Sequence, residues 1–530
     1  MATPLLSISN LSVSFGGGAA PVRAVNGVSL SIAPGAAVAV VGESGSGKST
    51  LARTILDLLP AAGRPQVEGR FAFDGQDCDA ARRRSLRGRE VAMVFQDPLS
   101  YLDPLMRVGR QIAEVLAVHE PAAAPDRVDE LLAQVQLKPG IAAAFPHELS
   151  GGMRQRVMIA MALACGARLL IADEPTTALD VTTQAEILAL ISKLRAETGM
   201  ALLLISHDLG VVSTMCDEVH VMYRGKVIEA GPVAQVFAHA EHDYTRSLIA
   251  AGSARNAPAG LAADPAEPPV LKLEGIRKSY GKGPHAVEVL RGSGIELRRG
   301  ETLALVGESG SGKSTLAKVA LSLVRPDAGR LELMGRDLLA MSPDALRRAR
   351  TAMYPVFQDS SEAFNPRRPV LGILGQALAV AGVPQAEREA RAIEVLEQVH
   401  LSPGAAFLHR YAHEMSGGQR QRLAIARALA TGAEVLVADE PLSGADVSIR
   451  DRVVALLREL QAQRQLAILF ITHDIWLARS FAHRVAVMYK GEIVEEGPAG
   501  EIIDAPRHPY TQRLVSAAPV VRETGPAVPA

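Results

Sequence analysis

The sequence predicts an α/β fold built as two tandem copies, on three observations. The ten residues VGESGSGKST stand at 41–50 and recur letter for letter at 306–315. In both halves short apolar runs alternate with helical patterns, as in domains with largely parallel sheets. Each half also ends an apolar run on an acidic pair, LLIADEP at 169–175 and VLVADEP at 435–441.

The duplication is long-range. Lys48 and Lys313 lie 265 positions apart, and Ser150 and Ser416, Asp173 and Asp439, and His207 and His473 each lie 266 apart. One offset held this far along each copy means a repeated domain, since solenoid periods are much shorter. The boundaries read as 1–252 for the first domain, 253–270 for an Ala/Pro-rich linker and 271–530 for the second domain. Such a linker is semi-extended.

In the first copy AAVAVVG reads as a strand and STLARTILDLL as the helix after it, with Leu51, Ile55, Leu58 and Leu59 on one face. In the second, TLALVG precedes STLAKVALSLV, with Leu316, Val319, Ala320 and Leu323 on one face. Pro60 and Pro326 are expected to stop these helices.

Composition removes several function classes. A net charge of -1 over 530 residues gives no broad nucleic-acid footprint. Cys78, Cys165 and Cys216 lie far apart, so neither a zinc site nor a disulfide framework is expected. The start, MATPLLSISN, lacks the basic-then-apolar order of a signal peptide. No apolar run reaches the roughly 18 residues of a membrane span, so work at a membrane would need spanning helices from another chain.

Residues Gly42 to Ser49 and Gly307 to Ser314 fit G-x-x-x-x-G-K-[ST]. Glycines let successive backbone N–H groups converge on an anion, and the loop feeds a helix N-terminus that favours phosphate. Gly42, Ser44, Gly45, Gly47, Lys48, Ser49 and Thr50 are therefore expected to bind nucleotide, as are Gly307, Ser309, Gly310, Gly312, Lys313, Ser314 and Thr315. The lysines would reach the β- and γ-phosphates, and Ser49 and Ser314 would ligate Mg²⁺. Asp173 and Asp439, at strand ends, can hold Mg²⁺ through water. Glu174 and Glu440, one step further on, can orient and polarise an attacking water. Ser150-Gly151-Gly152 and Ser416-Gly417-Gly418 each open a helix about twenty residues before an acidic pair, and form a second backbone anion site.

With these motifs in this order, both halves resemble the nucleotide-binding domains of ABC transporters, over nearly the whole chain. The resemblance implies ATP with Mg²⁺, and two such domains packed head to tail. Each ATP would then lie between the P-loop of one half and the signature Ser-Gly-Gly of the other. Gln96 and Gln358 match the Q-loop and would reach the γ-phosphate side and the metal. His207 and His473 match the switch histidine. Phe15 and Tyr280 match the aromatic that stacks on adenine. Two departures stand out: Met153 takes the place of the usual signature glutamine, which Gln419 keeps, and the loop after the second acidic pair reads Ser443-Gly-Ala-Asp446 against Thr177-Ala-Leu-Asp180. Both halves retain Lys, Asp, Glu and His, so both are expected to hydrolyse ATP.

Further segments resemble the oligopeptide/dipeptide importer group. These are DPLSYLDPLMRVGRQIAE (97–114), FNPRRPV (364–370), FPHELSGG and YAHEMSGG, and the extensions HDYTRSLIAA (242–251) and RHPYTQRLVSAAP (507–519). Asp243 departs from the His-Pro-Tyr pattern. No cysteine lies in either extension, so no iron–sulfur cluster is expected. The fused layout resembles the ATPase chains of microcin C, peptide or glutathione importers. That resemblance implies a peripheral protein on the cytoplasmic face of the bacterial inner membrane, two integral-membrane permease subunits and an extracytoplasmic substrate-binding protein. The permease would be driven through residues 97–114 and 359–375. The alternative is a soluble tandem-ABC protein acting on ribosomes. That class usually has a long charged linker, which this chain lacks.

Overall fold

The computed structural model describes residues 3–16, 21–120, 126–177, 179–252, 267–281, 283, 286–357, 364–442 and 447–521. Gln358, Ser443–Asp446, most of the linker and the start of the 359–375 segment lie outside the described residues. The chain forms two compact units. One comprises Met1–Leu179, Thr183–Ser253 and Pro519–Ala530; the other comprises Asp180–Thr182 and Ala254–Ala518.

In the first unit a six-stranded sheet runs, in spatial order, through Lys226–Pro232, Glu218–Tyr223, Ala37–Val41, Ala201–Ser206, Leu169–Asp173 and Val91–Val94. Five of these strands are parallel, and Lys226–Pro232 closes one edge antiparallel. A smaller antiparallel sheet of Leu6–Phe15, Val22–Ile32, Gln66–Phe73 and Gln76–Asp77 packs beside it. Successive side chains of a strand point to opposite faces, and the core divides accordingly. Val38, Val40, Leu169 and Ile171 join Leu6, Ile8 and Phe71 of the small sheet. Ala39, Val41, Leu170 and Ala172 face the helices, including Ile112, Leu131 and Ile159. A strand covered on both sides must be apolar throughout, and all five residues of Ala37–Val41 are buried.

The second unit repeats this order with Glu492–Pro498, Arg484–Tyr489, Thr302–Val306, Ala467–Ile471, Val435–Asp439 and Met353–Val356, again with one antiparallel edge, Glu492–Pro498. Its small sheet holds Leu271–Tyr280, Val287–Leu297, Ala328–Leu333 and Arg336–Asp337.

The helices after the duplicated loops are shorter than expected. They run Lys48–Ile55 and Lys313–Ala320, so Leu58, Leu59 and Leu323 lie beyond them. The prolines are not what stops them. Asp57 and Ser322 adopt left-handed backbone, with φ of 53° and 54°. The N–H groups of Leu58 and Leu323 then reach back to the carbonyls of Arg53 and Lys318, each at 2.8 Å. This left-handed closure satisfies the last carbonyls before either proline is reached.

Among the described residues no helix is long and apolar enough to cross a membrane.

Candidate functional site

The parallel strands of each unit deliver their chemistry at one edge. Val41 leads into the duplicated loop, Val94 into Gln96, Asp173 ends its strand, and Ser206 leads to His207. Sites of open α/β sheets form at these carboxyl ends.

The loop curls tightly against the neighbouring strand. A Cβ on Gly42 would meet the Met222 carbonyl oxygen at 2.2 Å, and one on Gly307 would meet that of Met488 at 2.2 Å. Only glycine allows that approach. Lys48 is buried, and its Nζ donates to the carbonyls of Gly42 and Glu43 at 2.7 and 2.8 Å. Lys313 does the same with Gly307 and Glu308, at 2.8 and 2.7 Å. Burial holds the Lys313 ammonium below its ordinary pKa, against the pull of Glu440 and other nearby carboxylates. Gly47 and Gly312 cap their helices without a side chain. The buried hydroxyls of Ser46 and Ser311 have no hydrogen-bond partner among the described residues. Uncapped helix N–H groups, orphaned hydroxyls and a buried lysine together fit a phosphate chain.

Beside the loop, Ser49 Oγ donates to Asp173 Oδ1 at 3.0 Å and Ser314 Oγ to Asp439 Oδ1 at 3.3 Å. Burial raises both aspartates above the ordinary carboxylate range. A hydroxyl and a buried carboxylate side by side are the hard oxygen donors that Mg²⁺ takes, so the residues present fit that ion.

Glu174 and Glu440 have left-handed backbone, with φ of 49° and 47°. Non-glycine residues pay for that conformation only where the surroundings impose it. Their N–H groups are held by the carbonyls of Ile205 and Ile471 in the next strand. Glu174 Oε2 accepts from Gln96 Nε2 at 2.8 Å and from the Thr177 hydroxyl at 3.0 Å, while Oε1 lies 3.2 Å from His207 Nδ1. Glu440 lies 3.5 Å from His473 Nδ1. Burial alone would raise Glu174, but the His207 hydrogen bond and charge outweigh it and hold the carboxyl low. For Glu440 the His473 hydrogen bond leads, with the same net direction. Burial pulls both histidines down, and the facing glutamates reverse that and raise them. Each histidine precedes an aspartate, Asp208 or Asp474, whose carboxylate caps the next helix and steadies the turn.

Ser150 and Ser416 cap the signature helices Gly151–Leu163 and Gly417–Ala430, accepting from Met153 N and Gln419 N at 3.3 Å. The structure gives Gln419 a local task as well: its Oε1 accepts the Ser416 N–H at 2.9 Å and completes a capping box. Met153 has no such group. Phe15 is half-buried against Gly63, whereas Tyr280 is 43% exposed.

Sequence reasoning missed two tyrosines. The hydroxyl of Tyr244 accepts the Glu43 N–H at 2.9 Å, and that of Tyr510 accepts the Glu308 N–H at 2.8 Å. They lie 266 positions apart, the offset of the other paired residues, and that was the available signal.

A phosphate cradle, a paired acid and a strand-end histidine, present in both units, define a nucleotide-hydrolysing cassette. Residues 25–177 and 290–443 match the ABC transporter family, and 494–528 match the oligopeptide/dipeptide transporter C-terminal region. The chain belongs to the ABC transporter family and is an ATP-binding, ABC-type ATPase. It is 44% identical to the peptidoglycan transport ATP-binding protein YejF of Agrobacterium fabrum, over 97% of this chain and 96% of that one. It is 41% identical to the glutathione import ATP-binding protein GsiA of Escherichia coli, over 97% and 90%.

Proposed function

We propose that this chain powers a bacterial importer of peptides or peptide-like compounds, with two ATP sites driving two integral-membrane permease subunits. The observation that carries the reading is the duplicated Glu–His pair beside each phosphate loop, in a chain whose end matches the transporter C-terminal region. The relatives' names, peptidoglycan and glutathione, both denote peptide-containing cargo. The extension match favours transport over work on ribosomes.

In this reading the domains 1–252 and 271–530 each bind ATP through the glycine loop, Lys48 or Lys313, and an aromatic, Phe15 or Tyr280. Ser49 with Asp173, and Ser314 with Asp439, would hold Mg²⁺, which neutralises phosphate charge when bound; Gln96 and Gln358 complete its surroundings. No iron–sulfur cluster takes part. Glu174 and Glu440 orient the attacking water once they exchange the histidine for it, and His207 and His473 then turn to the γ-phosphate side. Water is excluded as the site closes. The protein sits on the cytoplasmic face of the inner membrane, and an extracytoplasmic binding protein selects the cargo.

Affinity purification from detergent-solubilised native membranes, followed by mass spectrometry, tests this. Two polytopic permease proteins are expected alongside the chain. Ribosomal proteins with no membrane protein at comparable abundance would overturn the reading.

A further inference from the structure

The helices that follow the two switch histidines are held in different ways. In the second unit, side chains of that helix and its neighbours do the work. Asp474, next to His473, caps the helix Ile475–Phe481 and pairs with Arg450 at 2.5 Å. Trp476 packs against the core cluster that holds Ile475, Ala478 and Tyr510. Arg479 donates to both carboxylate oxygens of Asp504, at 2.8 Å each.

The first unit lacks these side chains. At the common offset of 266, Gln184, Gly210 and Ser213 stand in the places of Arg450, Trp476 and Arg479, and Ala238 stands in that of Asp504. Gln184 gives Asp208 a neutral donor, at 3.3 Å. The segment after helix Pro509–Ala517 lies against the helix Leu209–Met215 instead, and from Pro519 onward it belongs to the first compact unit. A Cβ on Gly210 would meet the Pro519 carbonyl carbon and Cβ, each at 2.8 Å, and the Val520 nitrogen at 3.0 Å. The buried Ser213 hydroxyl lies 2.8 Å from the Gly210 carbonyl oxygen and 3.1 Å from that of Val520, and shares its one proton between them. Val521 packs on the core that holds Leu209, Val211 and Val212. The contact includes the first turn of the helix, where Asp208 Oδ1 accepts the N–H groups of Gly210 and Val211 at 2.9 and 3.2 Å. His207 stands one residue before that cap.

We propose that the segment Pro519–Val521 positions His207: it does for the first switch turn what Arg450, Trp476 and Arg479 do for the second. This rests on the reading that the switch histidines act on the γ-phosphate side. Glycine is a poor helix former, and a neutral amide holds a carboxylate less firmly than a guanidinium does. The first turn is therefore the weaker of the two by its own side chains. Packing Pro519 on Gly210 and Val521 on the core closes that turn against local opening. A fixed turn fixes the side chain that leaves it. ATP affinity comes from the glycine loop and Lys48, so loss of the segment should lower kcat and leave KM for ATP in place.

The test compares the full chain with three variants: a truncation after Ala518, Gly210→Ala, and the two combined. After truncation, hydrogen exchange read by mass spectrometry should be about tenfold faster in residues 207–216 and unchanged in 473–482. Steady-state ATPase kinetics should show kcat falling about tenfold with KM for ATP unchanged. Gly210→Ala separates this contact from general damage, because its sign depends on the segment. In the full chain the added methyl would collide with Pro519 and should loosen 207–216. In the truncated chain alanine is simply the better helix former and should tighten them. His207→Ala checks the reading underneath and should cut turnover. If it does, the positioning role is still overturned by any of three results: truncation leaves exchange at 207–216 or kcat unchanged, exchange rises equally in 473–482, or Gly210→Ala acts with one sign in both chains. If His207→Ala leaves turnover intact, the histidine reading fails and the proposal fails with it.

Discussion

The phenolic oxygen of Tyr510 accepts the backbone N–H of Glu308, at 2.8 Å, and so ties the C-terminal extension to the phosphate loop. Tyr510 is 1% exposed and stacks on Tyr489 with ring centroids 4.2 Å apart. His508 Nδ1 accepts the Tyr510 N–H, and Glu495 accepts the N–H groups of Arg507 and His508. Glu229, His242 and Tyr244 repeat the arrangement on Glu43.

Tyr510→Phe keeps the stack and removes the acceptor. An unsatisfied loop N–H should cost about 1–2 kcal/mol. Thermal melting and steady-state ATPase kinetics should show a lower Tm and a KM for ATP that rises more than kcat falls. An unchanged melt and an unchanged KM would mean that the tyrosine does not position the loop.

The Glu174–His207 pair predicts a pH dependence. The histidine is raised and the glutamate lowered, so the ion pair contributes in full between the ordinary glutamate value of about 4.3 and the ordinary histidine value of about 6.5, and is lost at more acid pH as the glutamate protonates. That contribution fades as pH rises through the histidine's higher folded value. NMR titration of the nucleotide-free protein should give His207 a midpoint above the ordinary value, and Glu174→Gln should lower it. A midpoint that does not respond to the substitution would break the pairing.

Glu174→Gln and Glu440→Gln, made singly, should each cut ATP turnover by about half or more, since losing a water-orienting carboxylate costs about 10²–10⁴-fold at its own site. If either variant turns over ATP at the full rate, that site is not hydrolytic.

Met153→Gln should let the first signature helix close the capping box that Gln419 closes on Ser416. The gain is about 0.5–1 kcal/mol, read as a higher melting midpoint for the first unit in differential scanning calorimetry. No gain would mean that the Ser150 N–H is already satisfied without the amide.

Much of the site was legible because its signals are short-range. The phosphate loop declares itself by glycines at fixed spacing, and Asp173 and Asp439 by their position at the ends of apolar runs. Helix length was not legible: left-handed Asp57 and Ser322 end their helices before the prolines are reached, and a left-handed non-glycine residue carries no local sequence mark. Nor was the second role of Gln419, because a capping box depends on the backbone angle at Ser416 as well as on residue type.

The duplication, the α/β class, the two phosphate loops and the residues able to hold a metal and a water can all be read from the order of residues alone. The duplication follows from one string recurring at a near-constant offset, and the others from residue chemistry within a dozen or so neighbours. The tertiary structure was needed to show that Gln96 reaches Glu174 across 78 positions and that Tyr510 reaches Glu308 across 202. Parallel strands far apart in the chain end at the same sheet edge, so the loops leaving them converge there, and which side chains then touch is set by packing.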